Sequence, residues 1–95
     1  MAEQKITLQL KKDITGLADY DYGKSVFDQI QKEIDLDGGS ITFIFPNHIE
    51  RVASSFVQGF FSYIIKKIGY DGFEQKIHIE AANSNLVESI KRNIR

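Results

Sequence analysis

The chain has 95 residues, 42% hydrophobic and 26% charged, with a net charge of −1 and no cysteine. That balance fits one globular domain over residues 1–95 rather than disorder, and the near-neutral charge supplies no field to attract nucleic acid or an anionic membrane. Disulfides, thiol nucleophiles and Cys-type zinc sites are excluded, and neither a signal-peptide pattern nor an apolar run of bilayer length is present, so a soluble cytoplasmic chain is expected.

In chain order, "KITLQL" alternates, with Ile6, Leu8 and Leu10 on one face, and predicts a strand. "DITGLADYDYGK" interrupts it with turn formers. From about Tyr22, Val26, Phe27, Ile30 and Ile34 recur at helical spacing, and Gly38 is the expected left-handed stop in "DLDGG". "SITFIF" is a continuous apolar run, expected to be a central strand covered on both faces and ended by Pro46. The loop "PNHIERVA" leads to two serines. Phe56, Val57, Phe60, Phe61, Ile64, Ile65 and Ile68 then form a wide helical stripe, with Gly69 as its stop.

"QKIHIEA" predicts a third strand, with Ile77 and Ile79 inward and His78 outward. "NSNLVESIKRNIR" predicts a last helix with Leu86, Val87, Ile90 and Ile94 buried. Asn85 is its expected cap, Glu88 completes a capping box, and Lys91, Arg92 and Arg95 complement the dipole at its end. The order βαβαβα implies an α/β fold with a small, mostly parallel sheet packed by helices.

In such a fold, strand ends and helix starts gather on one edge of the sheet, where ligands and partners meet it. Ser54 and Ser55 fall there. Ser55 with Gln58 matches a capping box, which leaves Ser54 without a structural task. A phosphate on Ser54 would lie against the free amides and positive dipole end of the helix, adding nearly two negative charges to a neutral surface.

The segment "SITFIFPNHIERVASSFVQGFFSYIIKKIG" resembles the central strand–loop–helix of STAS domains, the fold of bacterial anti-sigma factor antagonists. In those proteins an Asp-Ser-Ser-Gly motif opens the helix, and a histidine-kinase-like ATPase phosphorylates its first serine. The match here is Ala53-Ser54-Ser55-Phe56, with alanine in place of the aspartate and phenylalanine in place of the glycine. The chain is still more similar, over roughly residues 4–94, to the STAS-like family of unknown function. That family has a Ser-Phe motif at this point, a glycine opening the first helix (Gly23) and a lysine-rich last strand before a short helix.

The resemblance implies a non-enzymatic regulatory module that binds a protein, either a histidine-kinase-like ATPase or an anti-sigma-type regulator. Ser54 is then the phosphorylation candidate, and Asn47, His48, Glu50, Arg51, Ser54, Ser55 and Phe56 form the partner-binding set, with Phe56 either core or anchor. Docking without phosphorylation stays open. So does a structural or assembly subunit that forms homo-oligomers through surplus apolar surface on the central helix.

Other chemistries find weaker support. His48 precedes the serines, but no nucleophile elbow accompanies a Ser–His pair. Asp19 and Asp21 are two apart, yet lack the ligand ladder of a calcium loop and read as turn and helix-start residues. No cofactor or metal ligand set is expected.

Overall fold

In the computed structural model, which describes residues 3–35 and 38–94, the strands and helices follow the expected order with two short strands added. They are β1 (Gln4–Thr7), β2 (Gly16–Leu17), α1 (Tyr20–Ile30), a 3₁₀ turn (Gln31–Glu33), β3 (Ile41–Ile44), β4 (Arg51–Val52), α2 (Ser54–Lys76), β5 (Ile77–Glu80) and α3 (Ser84–Asn93). The main sheet has the order β1-β3-β5 and is parallel throughout. β2 and β4 pair separately, also in parallel. This mixed α/β arrangement of a parallel sheet and three helices is consistent with a STAS-like fold.

Ile6, Phe43 and Ile79 share one row of the register, and Gln4, Ile41 and Ile77 another. Phe43 meets Phe60 and Phe61 of α2 edge-on, with ring centroids 5.4 and 5.6 Å apart, so this face lies against the helices. The pleat sends Lys5, Thr7, Thr42, Ile44, His78 and Glu80 to the other face. There Lys5, Thr7, His78 and Glu80 are exposed and Ile44 is half-buried. The outer face of "SITFIF" is thus covered at Thr42 and only partly at Ile44. Thr42 is buried between the flanking Lys5 and His78, and its hydroxyl donates to Glu3 Oε2 at 3.3 Å.

Several helix ends differ from expectation. α1 starts at Tyr20, where Asp19 Oδ1 accepts the Asp21 N–H. It tightens into the 3₁₀ turn after Ile30, leaving Ile34 extended. The helix is over before Gly38; Leu36 and Asp37 of "DLDGG" lie outside the described residues. The first helical run of α2 does stop at Gly69, as expected. The helix breaks there, at φ 74° and ψ 173°, a conformation open to glycine, and resumes because Phe73 packs edge-on against Phe61 at 5.1 Å. Gln75 and Lys76 are therefore helical rather than the start of the third strand.

α3 is capped by Asn83, not Asn85. Asn83 Oδ1 accepts the Leu86 N–H at 2.8 Å, which puts Glu88 too far along the helix to close a capping box. Lys91 and Arg92 do occupy its last turn; Arg95 lies outside the described residues.

The helical stripe of α2 is core. Phe56, Val57, Phe60, Phe61 and Ile64 are fully buried, so those positions carry no surplus apolar surface. What lets α1 approach α2 so closely is a pair of glycines. A Cβ on Gly59 would strike the Tyr20 carbonyl oxygen. One on Gly23 would strike the Phe56 carbonyl oxygen and lie 2.8 Å from the Phe60 nitrogen. Gly23 thus serves the helix crossing rather than the opening of α1. This crossing places the starts of α1 and α2 side by side, and the candidate site lies there.

Candidate functional site

The short β2–β4 ladder delivers the chain to both helix starts. The Glu50 N–H donates to the Thr15 carbonyl at 2.7 Å, and the Ala53 N–H to the Leu17 carbonyl at 2.7 Å. Ala53 is the N-cap of α2, extended at φ −76° and ψ 156°, and as alanine it offers no side-chain acceptor. Ser54 and Ser55 are therefore the first and second helical residues. The expectation that Ser55 caps the helix is corrected on this point.

Ser55 instead reaches sideways. Its hydroxyl accepts the Asp19 N–H at 3.0 Å. Asp19 has a φ of 84°, a region that non-glycine residues occupy only at a cost of about 1–3 kcal/mol. The bond thus joins the start of α2 to the strained residue that caps α1. Ser55→Ala should lower stability by about 0.5–1.5 kcal/mol, the net value of one hydrogen bond. Ser54→Ala should shift it by less than about 0.5 kcal/mol, as for other exposed positions. Denaturant midpoints at unchanged slope would separate the two.

Ser54 is exposed, and among the described residues its hydroxyl makes no hydrogen bond. Phe56 is not available to a partner. It is 0% exposed, stacked on Phe60 with centroids 5.8 Å apart and tilted against Tyr22. It belongs to the core because the first turn of α2 points this side chain into the aromatic cluster.

The loop residues divide. Glu50 and Arg51 are exposed and line an open groove of about 650 Å³ with Val52, Asn83, Asn85 and Ser89. Asn47, also exposed, lies in a second depression, with Asn83 and Ser84. His48 is half-buried and turned to β1's trailing loop, its Nε2 donating to the Lys11 carbonyl at 2.8 Å. A carbonyl can only accept, so Nε2 carries a proton and is not a base for Ser54. Asp19 and Asp21 act as the cap and first turn of α1. Among the described residues, no group of acidic or histidine side chains is arranged to hold a metal ion, and no helix is long and apolar enough to cross a membrane.

The family model of a STAS-like domain of unknown function (DUF4325) matches residues 22–87. The chain belongs to this STAS-like family. No curated protein and no solved structure matches it. The matched span of the STAS-like domain takes in the β4 loop, both serines and the start of α3, whereas β1 and Asp19 precede it. Asp19, Asn83, Asn85 and Ser89 complete the surroundings of the site and were not foreseen. Asp19 had a partial signal, an aspartate just before a helical run. The α3 residues had none, because only the fold brings them to β4.

Proposed function

We propose that this STAS-like domain is a non-enzymatic regulatory module that binds a protein partner through the β4 loop and the start of α2, with Ser54 as its switch position. One observation carries the reading: of two adjacent serines, Ser55 is tied to Asp19, while Ser54 is exposed at the first helical position. The docking face comprises Asn47, Glu50, Arg51 and Ser54, with Ser55 beneath as support.

The likeness to anti-sigma factor antagonists makes the partner a histidine-kinase-like ATPase or an anti-sigma-type regulator. Phosphoryl transfer from ATP to Ser54 Oγ would release ADP and the hydroxyl proton. The product would sit where Ala53 provides no side-chain cap and the first amides of α2 favour an anion. It would add charge without refolding the domain.

The test is calorimetry against the partner isolated from the native host. Ser54→Asp is expected to fold normally, since a carboxylate suits a helix start, and to bind at least about tenfold more weakly through a charge left unpaired in the contact. Ser54→Ala is expected to bind like wild type. Wild-type affinity in Ser54→Asp, with no phosphate on Ser54 in host-purified protein, would reduce both serines to structural residues.

A further inference from the structure

Among the described residues, β5 ends the sheet and no strand pairs with its outer edge. The Phe45 N–H donates to the Glu80 carbonyl at 2.8 Å, and Phe43 pairs with Ile79. Alternate residues of a parallel strand aim both backbone groups at the same neighbour. His78 and Glu80 therefore face β3, while Ile77, Ile79 and Ala81 turn theirs outward. The Ile77 N–H is satisfied by the Phe73 carbonyl at the end of α2. Among the described residues, the Ile77 C=O, both groups of Ile79 and the Ala81 N–H have no backbone partner.

A groove of about 310 Å³ runs along this edge, lined by Ile77, His78 and Ile79 with Phe73 and Ile94. Residues from both faces of a strand meet in one groove where the edge is uncovered. The opposite edge is guarded. Lys5, a residue type that discourages strand addition, projects from β1, and the Gln4 amide clamps the Asp35 backbone with two 2.9 Å hydrogen bonds.

We propose that two copies of this chain pair antiparallel through β5, centred on Ile79, to make one continuous sheet. Side-chain pairing selects this register. Centring the two-fold axis on Ile79 sets each His78 opposite the partner's Glu80, on the exposed face. Centring it on His78 would oppose two histidines, and centring it on Glu80 two carboxylates. Backbone chemistry agrees. Each Ile79 exchanges N–H and C=O bonds with the partner's Ile79, and each Ala81 N–H donates to the partner's Ile77 carbonyl. The pairing uses the free groups and leaves the satisfied Ile77 N–H alone. It involves none of the residues of the Ser54 face, so either reading can fail without the other.

Sedimentation from low-micromolar to millimolar concentration tests the pairing. Wild type should form a reversible dimer. His78→Glu places carboxylates opposite each other at both symmetry-related positions and should weaken the dimer about tenfold. Adding Glu80→Lys to it should restore association, and His78→Lys alone should dimerise at least as tightly as wild type. Both positions are exposed, and circular dichroism would verify folding. A chain that stays monomeric at millimolar concentration would overturn the proposal and leave the edge to a strand of another protein. A dimer indifferent to His78→Glu would overturn it as well, by placing the contact elsewhere.

Discussion

Replacing Gly59 with alanine should destabilise the fold by about 3 kcal/mol, the upper end of the usual cost of overpacking. The sign is the informative part. In an exposed helix interior the same change gains about 1 kcal/mol. Here the new methyl would meet the Tyr20 carbonyl oxygen, with the Tyr20 carbonyl carbon 2.9 Å away. That neighbour is backbone and cannot turn aside by changing rotamer. α1 and α2 must separate, which loosens the packing of Val26 and Phe27 on α2 and moves Asp19 relative to Ser55. Thermal or denaturant unfolding would measure the loss, and a stabilised Gly59→Ala would mean that the helices do not cross so closely.

Phe60→Ala should cost about 3–5 kcal/mol, as for other large core aromatics. Phe60 is fully buried at the centre of the aromatic cluster. It meets Phe27 of α1 at 5.6 Å, Phe43 of β3 at 5.4 Å and Phe61 at 4.8 Å, all near edge-on, and stacks on Phe56 at 5.8 Å. It thus joins both helices to the central strand, and its loss leaves a cavity that none of the three elements can fill alone. Against a total stability of about 5–15 kcal/mol for a native domain, the variant should be partly unfolded at moderate temperature. An unchanged midpoint in chemical denaturation would contradict the assigned core.

These two residues differ in how far they could be read beforehand. Phe60 follows from the spacing of apolar residues at helical period, as do Ile77 and Ile79 from alternation. Periodicity reports which face is buried, and it did so for α2, β5 and α3. Gly59 left a weaker trace, a glycine inside an apolar helical stripe, which points to close packing without naming the partner. The two-residue strands β2 and β4 are too short to show any period. Spacing pointed to Asn85 as the cap of α3, yet Asn83, two residues earlier, takes that place. The least legible feature is the role of Ser55. Its bond reaches Asp19, 36 residues earlier, and local sequence suggested a cap instead. For Phe56, spacing alone does not separate core from anchor; the direction in which α2 enters the aromatic cluster makes it core.

The central claim is that a protein partner docks where β4 runs into α2. Its most direct measurement is hydrogen exchange on the complex with the partner from the native host, compared with the free chain. Slowed exchange is expected in the amides of Glu50–Ser55, where the loop and the first turn of α2 are exposed, with Ile77–Ala81 unchanged. Protection confined to other segments, with Glu50–Ser55 exchanging as in the free chain, would contradict it.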